Sequence, residues 1–508
     1  MIHLSEKNKS TAYERMVAGF INGLDPSVST DVARYEKFQK KYFHDLAGFA
    51  NDCIIWDNDK KLASYQLQSM ELLLEKGRLS VRGPHGLGKT AISAIVVLWF
   101  ALTHDGLDWK VPTLASAWRQ LSKFLWPEIH KWSHKLKWDV IGRRPFDERR
   151  ELLTLNLKLS TGEAFAIASN DESLIEGAHA DHILYLFDES KSIPDATWDA
   201  AEGAMSTGQC YWLAVSTPGD PLGRFYDIHS RKKGYEDWEV FKVTLEMAVK
   251  AGRVSKQWAK DRERQWGRES AVFINRVIGD FASSDEDSVI PLSWVERANE
   301  RWLALKDQEE KGKSVWGEMT GIGVDVGRGG DPSVIGEQYG RAIKEFRRSD
   351  KKDVMHIAGI IKGILSVNHK AKASIDVIGI GAGVYDRVKE FKDIWNIANR
   401  VFAFNAAERT ELKDRSGELG FVNLRSAAWW NVREMLQNDE LDLPPHDELT
   451  GELVTPKWRV TSGGKIQIES KDDIKKRIDR STNYADTVIQ IYAPEVKAPM
   501  AGAWGRKK

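Results

Sequence analysis

Cysteine is almost absent from this chain, with Cys53 and Cys210 the only two among 508 residues. They stand far apart and form neither a metal-ligand nor a redox spacing, so we expect reduced, buried thiols in a cytoplasmic protein. An excess of charge of one sign is also missing, because 74 Lys and Arg balance 74 Asp and Glu. The net charge therefore does not indicate a polyanionic partner, and any basic surface must be local.

Long hydrophobic runs are missing too. Residues 1–15 are polar and of mixed charge, without the apolar stretch of a secretory signal. The longest apolar run, residues 91–102, is shorter than the roughly 18 residues of a membrane-spanning helix. We therefore expect a protein that is not secreted and has no transmembrane segment, and the run predicts a buried helix.

The length and composition favour two or more folded domains. A chain of 508 residues exceeds one ordinary core, and 42% hydrophobic residues with 20 Trp can bury several. Apolar strand-like runs alternate with helical stretches in two regions, which predicts an α/β fold for each. The predicted segments are a helical extension at 1–50, a first domain at 51–282, a linker at 283–314, a second domain at 315–493 and a flexible tail at 494–508.

A phosphate-binding loop lies in the first region. Residues 83–90 read Gly-Pro-His-Gly-Leu-Gly-Lys-Thr and match the P-loop pattern, with an apolar strand before them and the 91–102 helix after them. The glycines let backbone N–H groups surround phosphate oxygens, and the helix N-terminus adds a positive dipole. The pattern predicts ATP-binding roles for Gly83, Gly86, Gly88, Lys89 and Thr90, with Thr90 on Mg²⁺. The alternative is a glycine-rich turn with an incidental lysine.

Two adjacent acids end a later apolar strand, which begins at His182. Open α/β sheets bind ligands at the carboxyl ends of their strands. Asp188 is therefore predicted to hold Mg²⁺ through water, and Glu189 to orient and deprotonate the attacking water. The alternative, a simple cap of the following segment, loses weight once a P-loop is present.

Three weaker signals accompany this site. Ser216 and Thr217 follow another apolar strand and could sense the γ-phosphate, or form an ordinary Ser/Thr-Pro turn. Gln66, about one helix before the P-loop, could read the adenine edge, or be a solvated helical glutamine. Candidate arginines for stabilising the transition state, each of which could instead be a surface cation, include Arg82, Arg119 and Arg224.

Three aspartates stand in apolar surroundings of the second region. Asp325 interrupts the strand predicted at 321–326, Asp376 lies in a short apolar strand, and Asp486 begins an apolar helix. Such charges are costly unless they are paired or bind a cation. Three carboxylates on two strands and a helix are the ligands that a two-metal nuclease needs for Mg²⁺ or Mn²⁺. Taken alone, Asp486 could simply be a carboxylate at a helix start, where the helix dipole favours negative charge.

In this order the motifs resemble the large subunit of a tailed-phage terminase, the motor that packages DNA. The resemblance rests on Gln66, the 83–90 loop, Asp188 and Glu189, Ser216 to Pro218 with 223–226 after them, Asp325, Asp376 and Asp486. It implies an ASCE-type P-loop ATPase that moves double-stranded DNA into a procapsid, followed by an RNase H-like nuclease that cuts concatemers. It also implies ATP with Mg²⁺ in the first domain and two Mg²⁺ or Mn²⁺ ions in the second.

The resemblance further implies residue roles and partners. Glu189 would be the catalytic glutamate, Ser216 and Thr217 the coupling residues, and the three aspartates both catalytic residues and metal ligands. The implied partners are a small terminase subunit, the portal protein and the procapsid, in the cytoplasm of an infected bacterium. A ring of about five large subunits is implied during packaging, with a free monomer left open. Many family members have an atypical loop with a basic residue near its start, whereas here the loop is standard and Arg82 precedes it.

Two other functions compete with this interpretation. A DNA helicase or translocase with a fused nuclease would share the P-loop and the Asp-Glu pair, but the second region carries acids and no arginine-rich motif of a second RecA-like half. A P-loop scaffold that uses ATP as a switch would bind DNA without metal and without cutting it.

Overall fold

The computed structural model describes residues 26–57, 61–168, 175, 177–203, 209–282, 287–327, 331–351, 353–391, 396–478 and 481–494. The chain forms two compact units: unit 1 spans Met1–Lys256 and Asn275–Phe281, and unit 2 spans Gln257–Ile274 and Ala282–Lys508. Apart from residue 494, the predicted tail lies outside the described residues, as does the first half of the predicted N-terminal extension.

Unit 1 is an α/β sheet domain. Its described α-helices are α1 (Pro26–Tyr42), α2 (Leu46–Asp52), α3 (Ser64–Lys76), α4 (Lys89–His104), α5 (Trp118–Gln120), α6 (Trp126–Ser133), α7 (Trp138–Ile141), α8 (Asp195–Gly203), α9 (Gly223–His229) and α10 (Leu245–Lys250). Its strands are β1 (Arg78–Arg82), β2 (Trp109–Ala115), β3 (Leu152–Leu153), β4 (Asn156–Lys158), β5 (Gly162–Ala168), β6 (His182–Asp188), β7 (Gln209–Ser216) and β8 (Glu239–Lys242). Short 3₁₀ and π turns occur at Ser190–Ser192, Leu121–Leu125 and Ile274–Ile278.

The sheet of unit 1 has the strand order β3-β4-β5-β2-β6-β7-β1-β8. The six strands from β5 to β8 are parallel, so their carboxyl ends share one edge. One strand, β7, lies between β1, which leads into the P-loop, and β6, which ends in the acids. This is the strand order of ASCE-type P-loop ATPases, so the predicted fold class is confirmed. As predicted for residues 91–102, α4 is buried over most of its length.

Unit 2 is a second α/β domain. Its described α-helices are α11 (Lys256–Trp266), α12 (Ala271–Phe273), α13 (Leu292–Glu310), α14 (Val354–Val367), α15 (Ile380–Lys389), α16 (Leu424–Gln437), α17 (Asp447–Val454), α18 (Lys471–Ile478) and α19 (Asn483–Ile491), with a 3₁₀ turn at Ile397–Arg400. Its strands are β9 (Gly321–Asp325), β10 (Ser333–Tyr339), β11 (Ala342–Ser349), β12 (Lys372–Asp376), β13 (Val401–Phe404), β14 (Gly420–Phe421), β15 (Trp458–Val460) and β16 (Lys465–Ile468).

The main sheet of unit 2 has the order β11-β10-β9-β12-β13. Strands β9, β10 and β11 pair antiparallel. Strand β12 pairs parallel with β9, and β13 pairs parallel with β12. This is the RNase H-like order, as predicted. Helix α19 packs closely on β9, because a Cβ atom on Gly323 would lie 2.2 Å from the carbonyl oxygen of Thr487. Glycine at this position therefore brings the start of α19 near the end of β9.

Unit 2 includes segments that precede residue 315, where the sequence predicts the second domain to begin. The amide of Asn299 on α13 donates to the carbonyl oxygen of Leu443 at 2.9 Å. The indole N–H of Trp266 on α11 donates to the carbonyl oxygen of Asp447 at 3.1 Å. These contacts join the predicted linker, and residues of the predicted first domain, to later segments of unit 2.

Two other sequence expectations can be compared with the structure. Both cysteines are free, and Cys53 is buried as predicted, whereas Cys210 near the start of β7 is partly exposed. None of the helices in the described ranges has the length and apolarity needed to cross a membrane.

Candidate active sites

The phosphate loop joins β1 to α4 in unit 1. Gly86 and Gly88 have positive φ angles of 82° and 74°, which strain other residues. Gly83 is buried, and a Cβ atom there would lie 2.7 Å from the carbonyl oxygen of Val243. The local geometry therefore explains why glycine stands at each of these three positions. Lys89 and Thr90 are the first two residues of α4, where free helical N–H groups and the dipole favour an anion.

Ser216 and Thr217 connect the two halves of this site. The Lys89 ammonium donates to Thr217 Oγ1 at 3.0 Å and to the carbonyl oxygen of Pro84 at 3.1 Å. The Ser216 hydroxyl lies 3.2 Å from Glu189 Oε2. Because β7 lies between β1 and β6, its end contacts both the phosphate-loop lysine and the candidate catalytic glutamate. The structure therefore brings these four predicted residues together.

Asp188 and Glu189 occupy the end of β6. Asp188 is the last residue of the strand and is buried. Burial and the neighbouring Glu189 carboxylate raise the pKa of Asp188 to about 7, although Lys89 opposes the shift. Glu189 follows with a positive φ of 47°, a conformation that directs the chain sharply out of the strand. Such strained positions are frequent at functional sites.

Gln66 lies beneath the phosphate loop and not in solvent. Its side chain is only 2% exposed, so the alternative of a solvated glutamine is wrong. Nε2 donates to the carbonyl oxygen of Leu87 at 3.1 Å, and Oε1 accepts from the backbone N–H of Ala63 at 2.9 Å. The hydroxyl of Tyr65 donates to the same Leu87 oxygen at 3.1 Å. Gln66 therefore supports the loop; its contact with adenine remains a prediction.

No local sequence pattern predicts the segment that packs against the phosphate loop. The backbone N–H of His85 donates to the carbonyl oxygen of Arg276 at 2.9 Å. Gly279, with φ of 75°, lies so close that an added Cβ atom would be 2.7 Å from Gly83 Cα. Asp280 pairs with Arg82 at 3.0 Å and also with Lys242. This segment, Asn275–Phe281, thus stabilises both the loop and the strand before it.

The candidate arginines have partners within unit 1. The Arg82 guanidinium pairs with Asp280 and lies 5.1 Å from the ring centre of Phe281. Arg224 pairs with Asp199, and Arg119 lies 5.9 Å from the ring centre of Phe124. The contacts of Arg82 and Arg224 are those of structural cations and do not select either for catalysis.

The three aspartates of unit 2 meet at one end of its sheet. Asp325 and Asp376 are the last residues of the neighbouring parallel strands β9 and β12, and Asp486 lies in the first turn of α19. The strand predicted at 321–326 ends one residue earlier, so Asp325 lies at its end and does not interrupt it. Asp376 lies in a short strand, as predicted. β12 ends at Asp376 because α15 begins against it: a Cβ atom on Gly381 would lie 1.8 Å from the Asp376 carbonyl oxygen.

Lys471, the first residue of α18, lies among these carboxylates and was missed by the sequence analysis. Its ammonium is 2.7 Å from Asp486 Oδ2, 3.3 Å from Asp325 Oδ1 and 3.6 Å from Asp376 Oδ2. Burial alone would lower the pKa of Lys471, but the three carboxylates raise it above its usual range. In the sequence it begins a run of alternating charges and resembles a solvated helical face.

Two of these carboxylates, Asp325 and Asp376, have raised pKa values. Burial, with added repulsion from Asp486 and Asp376, raises the pKa of Asp325 to about 7 against the opposing effect of Lys471. Burial also raises the pKa of Asp376. Acids whose charged form is this costly are stabilised by a nearby cation, which in this structure is the ammonium of Lys471.

The donor set fits a hard divalent cation, since carboxylate oxygens are the ligands of Mg²⁺ and Mn²⁺. Among the described residues, no three His, Cys, Asp or Glu side chains are already arranged as a metal site. The reason lies in the geometry: the oxygens surround an ammonium at hydrogen-bond distance and not an ion at about 2.1 Å. The three aspartates therefore gather around the ammonium of Lys471.

A cleft of about 940 Å³ opens at these residues. Its lining combines the acids Asp325 and Asp376 with the cations Arg425, Arg459 and Lys471. An acidic centre bordered by basic side chains can hold cations and a polyanion at the same time.

A curated protein and several solved structures are similar to this chain. No protein-family model matches the chain. A protein of Enterobacteria phage P7 described as a probable terminase, large subunit, is 23% identical over 439 residues, which are 82% of this chain and 85% of that protein. A crystal structure of the large terminase from the thermophilic bacteriophage D6E aligns with 85% of this chain and 100% of that chain, at 14% identity and a TM-score of 0.40.

Another solved structure, the nuclease domain of the large terminase subunit of bacterial virus Sf6, aligns with 40% of this chain and 96% of that chain, at 16% identity and a TM-score of 0.31. The match to the phage P7 protein spans both units and confirms the resemblance that the order of motifs indicates. Over most of its length, the chain is thus similar to a protein described as a probable terminase, large subunit.

Proposed function

We propose that this protein moves double-stranded viral DNA into a procapsid with energy from ATP and cuts concatemeric DNA with a metal-dependent nuclease. The observation that carries the proposal is the convergence of Asp325, Asp376 and Asp486 on one cation, in the same chain as a complete phosphate loop. Unit 1 would hydrolyse ATP, and unit 2 would cleave DNA. The functional boundaries we propose from the sequence are 51–282 for the ATPase and 315–493 for the nuclease. In the structure, residues 257–274 and the segment before 315 pack as parts of unit 2.

In unit 1 the loop glycines and the N-terminus of α4 would bind the phosphates. Lys89 would exchange its bonds to Thr217 and Pro84 for the β- and γ-phosphates, since an ammonium prefers anionic oxygens. Asp188 and Thr90 would hold the Mg²⁺ of the nucleotide. Glu189 would orient the attacking water and accept its proton.

Ser216 and Thr217 are suited to couple these events to motion. When Lys89 turns toward phosphate, Thr217 loses its partner, and Ser216 remains bonded to Glu189. A change at the γ-phosphate would therefore reach the end of β7. This supports the proposed role of both residues in coupling hydrolysis to translocation.

In unit 2 the three aspartates would hold two Mg²⁺ or Mn²⁺ ions. Bound there, the ions supply an activated water and a positive charge for the leaving oxygen. Lys471 must first withdraw its ammonium from the centre of the cluster. Its place at the start of α18, with 34% of the side chain exposed, leaves a route toward the cleft.

The proposed assembly follows from the family resemblance. The protein would work with a small terminase subunit, the portal protein and the procapsid, in a ring of about five copies, within the infected bacterium. Unit 2 gives no support to the competing helicase, because its sheet begins with three antiparallel strands, unlike the parallel sheet of a second RecA-like half.

A pair of variants tests the proposal in the full-length protein. Lys89→Ala should abolish ATP hydrolysis and leave Mn²⁺-dependent nicking of plasmid intact, whereas Asp325→Ala should do the reverse. Survival of both activities in both variants would show that the sites are assigned wrongly. ATP-dependent unwinding of a forked duplex would favour the helicase instead.

A further inference from the structure

Arg425 is a buried cation of the nuclease cleft that the mechanism above does not use. It is the second residue of α16, it is 7% exposed, and it lines the cleft together with Asp325, Asp376 and Lys471. Its NH1 group donates to the carbonyl oxygen of Glu469 at 2.5 Å. The sequence offers no signal for it, because one arginine near a helix start is ordinary.

Most of the hydrogen-bonding capacity of Arg425 is unused. A guanidinium has five N–H groups, and Nε and NH2 of Arg425 are buried without any partner among the described residues. Burial lowers the pKa of Arg425, while the charges of Asp486 and other nearby acids oppose the shift through space. A buried charge with so few bonds is costly unless another group completes its environment.

The other cations of the cleft have side-chain partners. Lys475 pairs with Asp331 at 3.3 Å, and Arg459 donates twice to Gln467 Oε1. Lys471 is surrounded by the aspartates. The Arg425 guanidinium lies 5.6 Å from the ring centre of Trp429, but none of its N–H groups bonds to an anionic side chain among the described residues.

Cations bound by the aspartates would increase the cost of leaving the Arg425 charge unpaired. They would neutralise Asp376 and Asp486, whose negative charges now attract the guanidinium. The free Nε and NH2 groups form one edge of the guanidinium, and this edge matches two oxygens of a phosphate. We propose that Arg425 binds a phosphate of the DNA strand that enters the nuclease cleft. The proposal rests on the nuclease function proposed above, and binding requires the guanidinium to turn toward the cleft.

The salt dependence of DNA binding tests this role. Affinity of the full-length protein for a short fluorescein-labelled duplex is measured by anisotropy with Ca²⁺ present, over about 50 to 200 mM NaCl. We expect Arg425→Gln to weaken binding about tenfold and to reduce the slope of log affinity against log salt by about 0.9, the value of one lost phosphate contact. Arg425→Lys should retain most of the slope, because a lysine can still contact phosphate as a point charge.

Arg433 provides a matched control on the same helix. Its guanidinium donates to the carbonyl oxygen of Val289 and lies 4.9 Å from the ring centre of Trp430, outside the cleft lining. Arg433→Gln should lower the unfolding temperature and leave the salt slope unchanged. The KM of Mn²⁺-dependent nicking should rise in Arg425→Gln only.

Each outcome decides the question. If Arg425→Gln keeps the wild-type slope and KM, with or without a lower unfolding temperature, Arg425 is a structural counter-ion and the inference is overturned. If the wild-type protein does not nick plasmid with Mn²⁺, the proposed nuclease function fails instead. Wild-type nicking with an altered slope in Arg425→Gln supports both.

Discussion

The ammonium nitrogen of Lys471 lies 2.7 Å from Oδ2 of Asp486, at the point where two other aspartates also converge. The ammonium relieves the mutual repulsion of the carboxylates in the absence of a metal ion. In the proposed nuclease the same carboxylates would hold a divalent ion, so the lysine and the metal would compete for them.

Lys471→Ala should therefore destabilise the metal-free protein and strengthen its response to Mn²⁺. We expect a loss of about 2 kcal/mol of unfolding free energy, a value reduced for solvent screening because the side chain is 34% exposed. Mn²⁺ should raise the unfolding temperature more in the variant than in the wild type. The control is Lys475→Ala, which changes another lysine of helix α18 and breaks its pair with Asp331. It should show the same Mn²⁺ response as the wild type. Equal Mn²⁺ responses in the three proteins would contradict the competition.

Glu189→Gln should remove the base of the proposed ATPase and spare nucleotide binding. We expect a fall of about 10² to 10⁴ in kcat for ATP hydrolysis. Ser216→Ala, which removes only the hydroxyl at 3.2 Å from Glu189, should cost about tenfold. Steady-state hydrolysis and binding of a fluorescent ADP analogue measure the two effects separately. ATP turnover in Glu189→Gln close to that of the wild type would exclude the assignment.

Gly279→Ala should weaken nucleotide binding by about tenfold, a cost of roughly 1.4 kcal/mol. The new Cβ atom would lie 2.6 Å from Pro84 Cδ and 2.7 Å from Gly83 Cα, so the phosphate loop must shift. Gly252→Ala is the matched control, because Gly252 has a similar positive φ of 67° and nothing within 4 Å of its Cβ position. Both variants carry backbone strain, but only Gly279→Ala should raise the dissociation constant of the ADP analogue. A similar rise of the dissociation constant in both variants would show that backbone strain alone causes the effect.

Unit 1 should lose stability in mild acid through His229. Burial, with repulsion from Arg82 and Arg231, lowers the pKa of His229 to about 3. Because the folded pKa lies below the unfolded value of about 6.5, the stabilisation is complete above pH 6.5 and is lost as pH falls toward 3. We expect a loss of up to about 1.4 kcal/mol per pH unit in this window.

Chemical denaturation between pH 7 and 5 measures that slope. His229→Gln should make it shallower, whereas His134→Gln, which changes an exposed histidine, should not. An unchanged slope in His229→Gln would show that other groups cause the acid sensitivity.

Much of the ATPase site could be predicted from local sequence. The phosphate loop is a contiguous run whose glycines, lysine and threonine act within a few residues of one another, so the pattern alone predicts strand, loop and helix. Asp188 and Glu189 were found because an apolar strand that ends in acids is unusual. The sequence indicated Gln66 as a candidate site residue, but its burial beneath Leu87 depends on packing between distant segments.

The nuclease site was predicted less completely. Burying an acid in an apolar strand costs free energy, so Asp325 and Asp376 can be recognised in the sequence as unusual. Lys471 and Arg425 carry no such mark, since lysines and arginines near helix starts are common on protein surfaces. Their importance follows from the aspartates around them, which come from β9, β12 and α19.

The sequence by itself determined the two α/β regions, the order of motifs along the chain and the chemistry of each residue, because these depend on composition and short spacings. Only the tertiary structure decided which strand lies between Lys89 and Glu189, that Asn275–Phe281 supports the phosphate loop, and that Lys471 occupies the centre of the aspartate cluster. These relations depend on segments that are distant in the sequence, such as Lys471 and Asp325, 146 positions apart. They arise from strand order and close packing, which no local pattern specifies.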